Sequence, residues 1–194
     1  MTLRFDVLRH GATAVAGYCG STDVALTEAG TGQMWNAVHD RRWHRILTSP
    51  LQRCAGFAEA LAARLDIPFS SEPRLREMHF GRWENRTAEQ LMRGEAEALR
   101  RFWSDPFGHP PPDAEPLGEV CRRVLDLVRE LAVIAAAEHL LLVTHGGPIR
   151  ILLAAATTRP RSELLQIEVP HAALFQLRAR VGQGGDLLLQ PADG

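Results

Sequence analysis

A chain of 194 residues, 45% apolar and 23% charged, is long enough to bury a core and ordinary in composition for a globular protein. Its formal net charge of −1, with no basic run, argues against a nucleic-acid binder. All 22 basic residues are arginine, which excludes a lysine-dependent phosphate loop of the Walker type.

The first residues lead straight into Leu3-Arg4-Phe5-Asp6-Val7-Leu8, which reads as a buried strand with no cationic leader before it. No window is apolar enough to span a membrane. Thr27 can cap a helix running to about His39, with Leu26 and Met34 among its apolar contacts. Arg45 to Thr48 is a second short strand, and Pro50 opens a helix whose apolar positions Leu51, Cys54, Phe57, Ala58, Leu61 and Leu65 follow the helical period. Pro68 begins another short extended segment.

From Leu75 to Pro116 the pattern changes. This stretch holds Trp83, Phe102, Trp103 and Phe107, many charges and the break Pro110-Pro111-Pro112, and reads as an insertion of helices and loops over one end of a sheet. The helical period returns at Leu117, Val120, Cys121, Val124, Val128 and Leu131. Leu140 to Thr144 is a central strand, and Gly147-Pro148 leads into a helix through Ile149, Leu152 and Leu153. Ala173 to Leu177 and Leu187 to Leu189 can pair as a hairpin across Gly182–Gly185. Strands alternating with helices predict one α/β domain over residues 1–194: a three-layer sandwich, its sheet mostly parallel with an antiparallel strand near the end. Cys19, Cys54 and Cys121 are far apart and odd in number, which fits neither zinc nor disulfides. A reducing cytoplasm is the natural reading, with Cys54 and Cys121 as core thiols.

Two strands end alike. Leu8 is followed by Arg9-His10-Gly11, and Thr144 by His145-Gly146-Gly147-Pro148. In an open α/β sheet ligands bind beyond the carboxyl ends of the strands. A histidine at one strand end is more often structural than catalytic; two at equivalent ends, each before glycine, favour a site. The helix opening at Pro148 has free N–H groups that suit an anion. Arg53, in "TSPLQR", can reach the same rim from the first turns of its helix, although solvent is the usual fate of an arginine. Glu77, in "LREMHFGRWE", is a loop glutamate surrounded by Leu75, Met78, Phe80 and Trp83, and apolar surroundings would raise its pKa toward that of a general acid.

These stretches together resemble a known family. "LRHGAT", "GSTDVALTEAG", "TSPLQRC", "LREMHFGRWE", "EPLGEVCRRV" and "LLVTHGGPIR" are similar, in order and over about residues 3 to 155, to the motifs of the phosphoglycerate-mutase-like histidine phosphatase superfamily. The resemblance implies a phosphomonoesterase fold and activity. It makes His10 the nucleophile and assigns the phosphate oxygens to Arg9, Arg53 and His145, the last counted with the catalytic set. Glu77 would protonate the leaving alcohol and then activate water. It implies no metal and no cofactor, and a small phosphomonoester as partner. Within the superfamily the pattern is most similar to the α-ribazole-5'-phosphate phosphatase branch, whose substrates are α-ribazole 5'-phosphate and adenosylcobalamin 5'-phosphate. Tyr18, Phe80, Trp83 and Trp103 could stack a benzimidazole, although aromatics more often fill a core, and His171 could face the site. A broad-specificity or sugar-phosphate phosphatase, a phosphoglycerate mutase and a non-catalytic phosphoester-binding module are the alternatives. The chain departs from the family pattern at Trp83-Glu84-Asn85, where Trp-Glu-Gly is usual, at Ala12 and Val15-Ala16 after Arg-His-Gly, and at Ala25, where proline is common.

Overall fold

The computed structural model describes residues 2–135 and 137–192. Six strands form one mixed sheet among the described residues: β1 (Leu3–Arg9), β2 (Arg45–Thr48), β3 (Phe69–Ser71), β4 (His139–Thr144), β5 (Leu174–Val181) and β6 (Leu187–Pro191), in the order β3-β2-β4-β1-β5-β6. The first four of that order run parallel; β5 is antiparallel to β1 and β6 to β5. The expected α/β fold with a late antiparallel pair is therefore observed.

Alternation along the strands divides the core into two layers. Leu3, Phe5 and Val7 of β1, with Leu140 and Leu142 of β4, pack on α5 (Leu117–Ile134) and α6 (Gly146–Ala156). Leu8 of β1, Ile46 of β2, and Leu141 and Val143 of β4 face the other way, onto α1 (Glu28–Ala37) and α2 (Gln52–Leu65). β4, covered on both faces, is a near-continuous apolar run, whereas its neighbour β1 alternates, with Arg4 exposed and Asp6 buried.

Boundaries differ from the sequence expectation where backbone conformation intervenes. Thr27 caps α1 as expected, its hydroxyl accepting from the Gly30 N–H at 3.0 Å, but the helix ends at Ala37, before a turn that takes Asp40 to φ 58°. Pro50 precedes α2 without belonging to it. Leu51 stays extended as the cap, and Asp66 at φ 53° closes the far end. Ala173 is held in a turn on Pro170, so β5 starts at Leu174 and runs to Val181, longer than expected. Cys54 is buried as expected, whereas Cys121 is only half-buried against the core; both thiols are free.

Residues 75–116 carry two short helices, α3 (Ala88–Gly94) and α4 (Ala96–Ser104), and a 3-10 turn at Gly81–Trp83. Thr87 and Gln90 form a reciprocal capping box at the start of α3. Trp83 is fully buried, stands edge-on to Phe102 at 5.5 Å and donates from its indole to Glu95 at 2.7 Å. Among the described residues no helix is long and apolar enough to cross a membrane.

Candidate active site

The β1–β4 register builds the site. Arg9 lies opposite Thr144, so the residues that follow them, His10 and His145, leave the sheet side by side; their rings are 5.2 Å apart, edge to face. The His10 N–H donates to the Thr144 carbonyl at 3.0 Å. Gly11 continues over the start of α1, where its backbone meets that of Gly30. A Cβ on Gly11 would lie 2.0 Å from the Gly30 carbonyl oxygen, so this glycine serves chain packing and not the approach of a ligand.

His10 is buried and neutral. Its Nδ1 is 2.8 Å from the Gly11 carbonyl, which can only accept, so Nδ1 carries the proton and Nε2 the lone pair. Burial lowers the His10 pKa to about 3; the Gly11 bond opposes this, and the charges of Arg53 and Arg9 add to the lowering. His145 is fully buried, and its pKa lies well below the ordinary value through burial and then the charge of Arg53. Its Nδ1 accepts from Arg53 Nε at 3.2 Å, which leaves the proton on Nε2 to be donated to Ser49 Oγ at 2.7 Å.

A cavity of about 570 Å³ opens at this rim. Arg9, His10 and Glu77 line it, with Tyr18, Phe80 and Trp103 among the apolar wall. Arg9 is anchored through Nη1 to the Val169 carbonyl, while its Nε is buried without a partner. Burial lowers the Arg9 pKa, Glu77 raises it, and Arg150 and Arg53 lower it further. An orphaned donor of this kind is costly unless a ligand oxygen meets it.

Arg53 and His145 do not line the cavity. Arg53 is wholly buried and donates to the carbonyls of Thr22 at 2.8 Å, Cys19 at 2.9 Å and Gly20 at 2.6 Å as well as to His145. It ties the loop after β1 to His145, just beyond β4, and its charge helps lower the His10 pKa. The expected solvated or oxygen-holding arginine is thus, in this state, a buried brace.

The N-terminus of α6 is already occupied. The Gly147 N–H donates to both oxygens of Glu77 at 3.1 Å, and the Met78 N–H to one of them at 3.0 Å. A Cβ on Gly147 would stand 2.2 Å from Glu77 Oε1, so glycine there admits the carboxylate. The anion expected at this helix end is a side chain of the protein itself.

Trp83, expected as a stacking candidate, belongs to the core, whereas Tyr18, Phe80 and Trp103 do face the cavity. The Trp103 indole donates to Tyr18 Oη at 3.1 Å. His171 lines the cavity, its ring 5.7 Å from that of His10. Sequence reasoning missed Phe102, Leu165 and Arg150 in the wall. Glu84 braces the entry loop: it accepts from the N–H groups of Ser21 and Thr22 at 3.0 Å and of Phe80 at 2.9 Å. Burial pushes its pKa up, but the hydroxyl of Thr22, donating at 2.5 Å, and then these backbone bonds outweigh that and the net shift is downward. Asn85, where the family usually has glycine, sits at φ 60°, a left-handed conformation that glycine adopts freely and asparagine tolerates.

The model of histidine phosphatase superfamily branch 1 matches residues 6–188. The chain belongs to the histidine phosphatase superfamily. It is 31% identical over 173 residues, 86% of each chain, to the adenosylcobalamin/alpha-ribazole phosphatase of Salmonella typhimurium. It is 32% identical to the glucosyl-3-phosphoglycerate phosphatase of Mycolicibacterium vanbaalenii, covering 81% of this chain and 75% of that one. A solved mycobacterial glucosyl-3-phosphoglycerate phosphatase superposes with a TM-score of 0.84 at 27% identity, covering 97% and 96% of the two chains.

Proposed function

We propose that this histidine phosphatase hydrolyses phosphomonoesters through a phosphohistidine at His10, with α-ribazole 5'-phosphate or adenosylcobalamin 5'-phosphate as substrate. The observation that carries the reading is the state of His10: neutral, its Nδ1 proton fixed on Gly11, its Nε2 lone pair free, beside the unpartnered Nε of Arg9. A protonated imidazole has no lone pair to offer, so the lowered pKa keeps the nucleophile competent.

In the first step the Nε2 lone pair bonds to phosphorus as the ester P–O bond breaks. The leaving oxygen takes the electron pair and a proton from Glu77, whose carboxylate first takes that proton from the phosphate monoanion of the entering substrate. In the second, water gives its proton to Glu77 and attacks phosphorus, the N–P bond breaks, and orthophosphate and neutral His10 result. Arg9 supplies positive charge and a donor to the phosphoryl oxygens. Arg53 and His145 reach those oxygens only if Arg53 releases loop carbonyls on binding; otherwise Arg53 acts on His10 through its charge and His145 through the ring contact. The reading supplies its positive charge from arginine, so activity is expected to persist in EDTA, and inhibition reversed by a divalent metal would contradict it.

The choice of substrate rests on the Salmonella relative and on the Tyr18, Phe80 and Trp103 wall, which suits a flat base. A sugar-phosphate phosphatase is the second reading, favoured by the similarity to the glucosyl-3-phosphoglycerate enzyme. Phosphate release from α-ribazole 5'-phosphate, beside 3-phosphoglycerate, sugar phosphates and p-nitrophenyl phosphate, tests the choice. A strong preference for the ribazole ester is expected; equal rates on all would overturn the assignment of substrate but not of chemistry.

A further inference from the structure

Arg150 sits one turn into α6, on the same face as Gly146, and side chains on a helix lean toward its N-terminus. That lean carries its guanidinium into the cavity, back toward Glu77. Nε donates to the Ile167 carbonyl at 2.9 Å, which fixes the plane of the group, and neither terminal nitrogen has a hydrogen-bond partner among the described residues. The result is an anchored fork with both tines free. Its position is marked by Gly146: a Cβ there would lie 2.8 Å from Arg150 Nη1 and 3.8 Å from both Arg9 Nε and Glu77 Oε2. Arg150 therefore borders the carboxylate assigned to the leaving oxygen as well as the arginine assigned to the phosphate. Its charge is also felt at Tyr18, where burial raises the phenol and the Trp103 bond and Arg150 oppose that.

An anchored guanidinium with unused donors, half-buried beside a second cation, is held against charge repulsion and incomplete solvation. Arg9 already serves the phosphate, and Glu77 the bridging oxygen. The group next along the substrate is the carbon skeleton of the alcohol. We propose that Arg150 reads the leaving alcohol, its fork taking the oxygen acceptors that the alcohol carries beside the phosphoester: the hydroxyls of a ribose or the carboxylate of a glycerate. The proposal rests on the phosphomonoesterase reading for where the phosphate lies, and it deepens that reading by naming a determinant of substrate choice.

Binding without turnover isolates it. In a His10→Ala background, calorimetry measures Kd for inorganic phosphate, ribose 5-phosphate and 3-phosphoglycerate, with and without Arg150→Leu. The expected result is a tenfold or greater loss for one organophosphate relative to inorganic phosphate. Loss for ribose 5-phosphate assigns the fork to hydroxyls, and loss for 3-phosphoglycerate to a carboxylate. Proportional weakening of all three, or no weakening, overturns the proposal, since the arginine would then serve the phosphate or the fold. Arg150→Lys, which keeps the charge and loses the fork, repeats the test should the leucine variant fail to fold. It is expected to recover carboxylate binding in part and hydroxyl binding little. Turnover of p-nitrophenyl phosphate by the unaltered enzyme tests the phosphomonoesterase reading separately: its absence would defeat that reading and leave the binding comparison standing.

Discussion

At His10 one carbonyl decides which nitrogen keeps its lone pair, and burial decides that the ring is unprotonated. Both have a measurable cost. The unfolded chain binds a proton at His10 near pH 6.5, while the folded chain does so only near pH 3. Between those values the unfolded state holds more protons, so stability is complete above pH 6.5 and falls as the pH is lowered toward 3. His145 shifts in the same direction. Between its two values His10 contributes a slope of about 1.4 kcal/mol per pH unit. Urea midpoints from pH 7 to pH 4.5 are expected to fall steeply, and less steeply in His10→Gln; parallel slopes would contradict a buried neutral imidazole. Glu77 separates chemistry from packing in another way. Glu77→Gln keeps an acceptor toward Gly147 but cannot give up the proton, so alkyl phosphates are expected to slow about 100-fold or more and p-nitrophenyl phosphate much less. Equal slowing of both would remove its role as acid.

At the scale of elements, the site depends on two strand ends and one braced loop. The β1–β4 register sets His10 beside His145, while Arg53 holds residues 19–22 by their carbonyls and Glu84 by their N–H groups. Glu84→Gln weakens three backbone bonds to a charged acceptor. It is expected to cost about 1–3 kcal/mol and to speed proteolysis and hydrogen exchange in residues 17–24. Unchanged exchange there would show that the loop stands without the brace. The strand-end pair was legible because strand–His–Gly recurs twice, and strand ends in such a sheet share a rim. The saturation of Arg53 was not, because its partners are backbone carbonyls whose direction follows from the loop's course and not from its residue types. Arg150 was hidden for a related reason. Helical period places it on a face but cannot distinguish a cavity from solvent, and only the position of Ile167 shows which it meets.

Across the whole molecule, one sheet carries two cores, and neighbouring residues of β4 belong to different ones: Leu141 packs toward α1 and α2, Leu142 toward α5 and α6. Leu141→Ala and Leu142→Ala are each expected to cost about 2–5 kcal/mol, with an unchanged urea m-value because both layers unfold together. A biphasic transition in either variant would show that the layers are separable. The layering was readable from the alternation of strands with helices, whereas the fate of Trp83 was not, since an aromatic in an irregular segment looks the same whether it seals a core or faces a cavity. The central claim, that the protein cleaves phosphomonoesters through His10, meets its most direct test in phosphate release from α-ribazole 5'-phosphate by the unaltered protein and by His10→Ala, with folding of the variant verified by its circular dichroism. Ready release is expected from the first and none above background from the folded variant. Release at similar rates by both would contradict the claim.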